Sequence, residues 1–148
     1  IALSLVGSEM CIRDRGKLLN VGLAIVDKRR PSPGKSEVMN VIGNVNNKTC
    51  IIVDDIIDSG GTIVNAAKVL KEKGARDVHV YVSHGVLSGG AVEKIIKSKV
   101  KNLVVTDTID NLDKVKKVKN IEILSISHLV GEAIKRISNS TSVSDLFN

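Results

Sequence analysis

Aromatic side chains are almost missing from this 148-residue chain, which has one tyrosine, one phenylalanine and no tryptophan. So few rings give single-stranded bases no platform to stack on. Helix-turn-helix and zinc-finger spacings are also missing, so nucleic acid is not the expected partner despite a net charge of +6. The lysines behind that charge crowd the second half, at positions 94, 97, 99, 101, 114, 116, 117 and 119, and read as a solvated face. Cysteine is scarce too. Cys11 and Cys50 suggest neither a disulfide nor a thiolate metal site, and His79, His84 and His128 lie too far apart for ligand spacing. No metal ligand is therefore expected within this chain. No apolar run is long enough to cross a bilayer, so a membrane is not expected and the cytoplasm is the expected setting. Internal repeats are likewise missing.

What is present concentrates in Ile51–Thr62, Ile-Ile-Val-Asp-Asp-Ile-Ile-Asp-Ser-Gly-Gly-Thr. Ile51, Ile52 and Val53 are β-branched and uninterrupted, which predicts a parallel strand buried on both faces. Asp54 and Asp55 fall where that strand is expected to end, at the sheet edge where open α/β folds bind ligands. Asp58, Ser59, Gly60, Gly61 and Thr62 follow. Glycines without Cβ atoms let backbone N–H groups close on an anion. Thr62 is expected to cap, or to donate to a phosphate from, a helix over Ile63–Lys73. Its apolar residues Ile63, Ala66, Ala67 and Leu70 share one face, and Gly74 stops it. Carboxylates for ring hydroxyls, followed by a phosphate cradle, suit a ribose 5-phosphate moiety. An ordinary polar turn is the plainer reading, and it leaves three spaced carboxylates and two hydroxyls without a purpose.

A second feature lies upstream. Both prolines of the chain, Pro31 and Pro33, follow Lys28-Arg29-Arg30, with Gly34 next. Such a cluster breaks regular structure and suits a mobile loop between strands. Taken alone, it would be an idle basic hairpin.

Together these segments carry a resemblance. Ile51–Thr62 resembles the ribose-phosphate loop of the phosphoribosyltransferase-like families. With Val21–Arg30, Glu37–Gly43, Ser83–Ala91 and the ending Ser142–Phe147, the chain is similar to the ribose-phosphate pyrophosphokinase family, matching its C-terminal half from about Asn20 to Phe147. The resemblance implies an α/β, parallel-sheet, type I phosphoribosyltransferase-like domain, truncated at the N-terminal side. It implies transfer of pyrophosphate from Mg-ATP to the 1-hydroxyl of ribose 5-phosphate, releasing AMP. Lys28 and Arg30 match the family's catalytic-loop cations, with Arg30 also on substrate or nucleotide phosphates. Asp54 matches the group on the sugar hydroxyls, Asp55 stands beside it, and Asp58, Ser59, Gly60, Gly61 and Thr62 match the residues around the 5-phosphate. Ser59 stands where threonine is commoner. The family's Mg2+ ligands and adenine-binding residues would lie in an N-terminal half outside this sequence, so little catalysis is expected of this polypeptide alone. Ser142 and Ser144 resemble positions facing an allosteric phosphate in bacterial members. Family members are homo-oligomers, often hexamers. Alternatives are a phosphoribosyltransferase that consumes phosphoribosyl pyrophosphate, and a non-catalytic regulatory subunit.

Residues Ser4–Arg15 are expected to match nothing in that family. Ser4–Arg15 reads as a translated adapter scar, and Ile1–Val6 is too short and unflanked by basic residues for a signal peptide. Residues 1–15 are thus left out of the expected fold, and 16–148 form the domain. Gly16–Asn20 is taken as the end of a helix. The expected order continues with strands at Val21–Val26, Glu37–Val45 (extended), Val78–Val82, Leu103–Thr106 and Ile121–Leu124. Helices are expected over Gly90–Lys97 and around Val130, Ala133, Ile134 and Ile137. All strands are expected to pair in parallel with right-handed crossovers.

Overall fold

A computed structural model describes residues 2–5, 16–29 and 38–147. Seven strands form one sheet: β1 (Ala2–Leu5), β2 (Leu23–Arg29), β3 (Val38–Ile42), β4 (Thr49–Ile57), β5 (Asp77–Gly85), β6 (Asn102–Thr106) and β7 (Ile121–Leu124). Their order across the sheet is β3-β2-β1-β4-β5-β6-β7. Besides the helical residues Gly16–Leu18, the helices are α1 (Gly61–Glu72), α2 (Ala91–Ile96), α3 (Leu112–Val115) and α4 (Ser127–Ser138). A 3-10 turn follows at Ser144–Phe147. The fold is the expected α/β with a largely parallel sheet, and β1 and α3 are additions to the expected order.

Three expectations need correction. The sheet is not wholly parallel, because β2 and β3 pair antiparallel from Ile25–Ile42 to Arg29–Val38. Only positions 30–37 join them, and a parallel pair needs a crossover of about a dozen residues or more. The second correction concerns the front of the chain. Whatever the origin of residues 1–15, Ala2–Leu5 forms β1 in the middle of the sheet, paired in parallel with both β2 and β4. Without it, those two strands would each present an unpaired edge. The third is burial. Cys50 and Ile52 of β4 are buried but Ile51 and Val53 are only half-buried, so the strand is covered on one face rather than two.

The same alternation runs through β5, where Val78, Val80 and Val82 are buried while Tyr81 is exposed. The core lies on the face shared by these residues. It gathers Ala24 and Val26 of β2, Leu103 and Val105 of β6, Ile63, Ala66, Ala67 and Leu70 of α1, and Ala91 and Ile95 of α2. Burying such side chains is worth about 1.5–3 kcal/mol each for the larger ones. Helix α1 ends as expected: Gly74 takes φ +87, its N–H reaches the Lys71 carbonyl at 3.0 Å, and Ala75 N–H reaches that of Leu70 at 3.0 Å. That pair of bonds is a Schellman motif, and the left-handed residue in it favours glycine.

Candidate functional site

Parallel strands place their C-terminal ends on one edge, and β4 delivers its carboxylates there. The strand runs through Asp54 and Asp55 to Ile57 rather than ending at the aspartates, because β5 keeps pairing with it as far as Ile57–Gly85. Asp54 is partly buried and Asp55 is exposed. Asp55 N–H donates to Asp54 Oδ1 at 3.0 Å. Burial raises the Asp54 carboxyl above the usual carboxylate range. The Asp55 N–H works against that rise, while hydrogen bonding with the Asp55 side chain and its charge add to it. A partly desolvated carboxylate of this kind is a strong acceptor for a sugar hydroxyl.

The loop Asp58-Ser59-Gly60 then turns into α1. Gly60 is the N-cap, at φ +74, and its carbonyl accepts the Val64 N–H at 3.0 Å. A Cβ at Gly60 would meet Ala91 only at ordinary contact distance, so the positive φ, not crowding, calls for glycine there. A Cβ at Gly61 would meet nothing within 4 Å, so the space over this residue is open. Thr62 lies inside the helix instead of capping it. No side chain caps α1, and its first turn carries no acidic residue. Its N–H groups and the positive end of its dipole thus remain open to an external anion, worth on the order of 1 kcal/mol before hydrogen bonds are counted.

Two further groups share the edge. The register of β1 against β2 and β4 matches Ile25 with Val53, and its extension sets Lys28 level with Ile56. Along the described length of β1, the flanking strands β2 and β4 lie two strand spacings, about 10 Å, apart. Arg30 and the proline loop after it lie outside the described residues. Next to β4, His84 Nδ1 is 2.9 Å from Thr108 Oγ1, and the Thr106 and Thr108 hydroxyls both donate to the Ser83 carbonyl, at 2.6 and 3.0 Å. The sequence reading did not single out these threonines. The rule that selects Asp54 would have found them, since Thr-Asp-Thr also follows a strand end. Far from this edge, the Ser142 and Ser144 hydroxyls are 2.8 Å apart beside the 3-10 turn. An open depression of about 400 Å³ lined by Gly16, Lys17 and Asn20–Leu23 lies at the other end of β2, away from the carboxylates.

Among the described residues no three His, Cys, Asp or Glu side chains converge to hold a metal ion. Nor does any described helix have the length and apolarity to cross a membrane.

Comparison with known proteins follows the same outline. The chain is 54% identical over 143 residues to the ribose-phosphate pyrophosphokinase of Brucella melitensis, covering 97% of this chain and 46% of that protein. It is 56% identical to the enzyme of the same name from Bradyrhizobium diazoefficiens, covering 97% of this chain and 45% of the other. It therefore spans about half the length of the curated relatives it matches. Its fold superposes on the crystal structure of a phosphoribosylpyrophosphate synthetase from Mycobacterium smegmatis with a TM-score of 0.82 at 33% identity, covering 94% of this chain and 45% of that one. Residues 21–148 match the phosphoribosyl synthetase-associated domain, and the chain belongs to that family.

Proposed function

We propose that this chain is the ribose 5-phosphate-binding half of a ribose-phosphate diphosphokinase. The uncapped amino end of α1, set directly behind the Asp54–Asp55 carboxylates, carries this reading. Identity above 50% to ribose-phosphate pyrophosphokinases along 97% of the chain supports it. In the reaction, the 1-hydroxyl oxygen of ribose 5-phosphate attacks the β-phosphorus of ATP, the bond to the α-phosphate oxygen breaks, and AMP leaves. Asp54 and Asp55 orient the sugar through its hydroxyls. Asp58, Ser59, Gly60, Gly61 and Thr62 surround the 5-phosphate, with the backbone of the loop as donor. Lys28 and Arg30 bring positive charge to the transferring phosphoryl group, where a water-excluding site makes each cation worth several kcal/mol. Magnesium, when bound with ATP, offsets the charge of the triphosphate, and its ligands lie in the half of the protein beyond this chain. The complete enzyme acts in the cytoplasm as a homo-oligomer.

The test uses the chain as it stands. Titration with ribose 5-phosphate, followed by phosphorus NMR, should shift and broaden the 5-phosphate resonance, and inorganic phosphate should compete weakly. Addition of ATP and magnesium should form no AMP until the other half is supplied. A ribose 5-phosphate resonance that is unmoved at millimolar protein would sink the reading.

A further inference from the structure

The Gly60-Gly61 loop and the Gly89-Gly90 loop are joined to each other. Beyond β5 the chain turns through Val86, Leu87 and Ser88 and comes back against the Ile57–Gly60 loop. Val86 and Leu87 N–H groups both donate to the Ile57 carbonyl, at 2.9 and 3.2 Å, and Ser88 N–H donates to that of Asp58 at 3.1 Å. The Ser88 hydroxyl also donates to Asp58 Oδ1. One helix further on, Lys94 Nζ donates to the Ser59 carbonyl at 3.1 Å. This second loop is itself held from behind. The buried Asn111 donates through Nδ2 to the Gly85 carbonyl, and Lys114 Nζ reaches the Val86 carbonyl at 3.2 Å. Leu87 is buried at φ +51, a left-handed conformation that is unfavourable for a leucine. Such strain persists only where the surroundings over-determine it, and it gathers at functional sites.

We infer that Ser88 is a positioning residue for the phosphate loop: it acts through Asp58 and does not itself touch the ligand. The inference rests on the ribose 5-phosphate reading above. A free carboxylate next to an anion cradle could swing into it and repel the phosphate. The Ser88 hydroxyl confines the Asp58 carboxylate to one rotamer, and the three backbone bonds fix the Ile57 and Asp58 carbonyls. The N–H groups of Ser59–Thr62 are thereby arranged before ligand arrives, which removes an ordering penalty from binding. Lys94 adds a second anchor one residue along.

The experiment compares wild type with S88A, S88T and K94M in this chain. It reads amide hydrogen exchange at Ser59–Thr62, the dissociation constant for ribose 5-phosphate, and the melting temperature. S88A should speed exchange at those amides and weaken binding by about tenfold each, the size of one lost hydrogen bond to a charged group. Melting should not change. S88T, which keeps the hydroxyl, should stay within about threefold of wild type, and K94M should fall between the two. Unchanged exchange in S88A overturns the inference. So does a loss that S88T does not rescue and that comes with a lower melting temperature, since that marks a merely structural residue. Wild-type binding with S88A unaffected overturns this inference alone. Failure of wild type to bind ribose 5-phosphate overturns the functional reading and the role of Ser88 in binding with it.

Discussion

Helices α1 and α4 are near twins that ended up in opposite surroundings. Each has twelve residues, each carries an apolar stripe, and each closes with a Schellman motif. Ile63, Ala66, Ala67 and Leu70 of α1 are all buried, whereas no residue of α4 is. Leu129, Val130, Ile134 and Ile137 stay exposed, Ile137 at 67%. The side-chain bonds of α4 are polar and local: Arg136 donates to Glu132 at 3.1 Å and to the Ser142 carbonyl at 2.8 Å. Periodicity therefore announces that a face is built for burial but says nothing about what will cover it. The helix that is covered also carries the candidate site at its amino end, so the site sits on the more rigid of the two.

Truncating a side chain on each stripe exposes the difference most strongly. Leu70→Ala, at a fully buried position, should lower unfolding free energy by about 2–5 kcal/mol. Ile134→Ala, at a position 62% exposed, should change it by less than about 0.5 kcal/mol. Urea titrations of the two variants would measure this. Equal losses would mean that α4 is packed in solution and that the contrast between the helices is false.

The legible parts of this fold are those where one short segment carries its own pattern. The run from Ile51 to Gly74 displays strand, loop, amphipathic face and stop within 24 consecutive residues, and the buried face of its helix is the expected one, although the strand is covered on one face only. Strand β1 was not legible, because four residues cannot show a period and its place depends on the edges of β2 and β4. Helix α3, also four residues, is too short for a helical stripe. Of the site, the carboxylates and glycines could be read, while the brace behind them could not. The bonds of Ser88 to Asp58 and of Lys94 to Ser59 span 30 and 35 positions, and no local spacing encodes them. The turn at Ser88 is built against the other loop, through the Asp58 carbonyl and carboxylate.

Exchanging the residues that close the two helices sharpens the contrast. Gly74 at φ +87 has its counterpart in Ser140 at φ +54. Gly74→Ala should destabilise by about 1–2 kcal/mol from backbone strain alone, and the new methyl would also displace the Asn46 side chain. Ser140→Gly relieves a similar strain in α4, so the Thr141 amide, bonded to the Arg136 carbonyl at 2.9 Å, should exchange about fivefold more slowly. Because no residue of α4 is buried, this gain should appear in local exchange and hardly at all in the global transition. A rise in global stability in Ser140→Gly would contradict the loose attachment of α4.

At the site itself, stability and binding should move in opposite directions. The carboxyl of Asp54 is held above its unfolded value, chiefly by burial. Between the unfolded and folded values the native state binds more protons than the unfolded chain, so stability falls as pH rises through that window. Asp54→Asn removes the ionisation. It should raise stability at neutral pH, abolish the gain seen on mild acidification, and weaken ribose 5-phosphate binding by about tenfold through loss of a charged acceptor. Paired melting curves at pH 5 and 7, with a titration of the ligand, would separate the three effects. A variant less stable than wild type at neutral pH would show that Asp54 is stabilised by its surroundings rather than strained by them.

The smallest effect belongs to the open helix, and it has the opposite sign. Glu132 is held below its ordinary value, first by the Arg136 hydrogen bond and then by the Lys135 charge. Its contribution is present above the unfolded value and lost as pH falls through the folded one. Both partners are solvent-accessible, so screening by salt should erase much of it. Glu132→Gln should leave the core transition where it was. It should also remove the acid-induced rise in exchange of the α4 amides, because that rise comes from protonating Glu132 and releasing Arg136 from the helix to which it ties the Ser142 carbonyl. If the same substitution shifted the core transition, α4 and the sheet would be one cooperative unit, and the exposed stripe along Leu129–Ile137 would need a cover that the described residues do not supply.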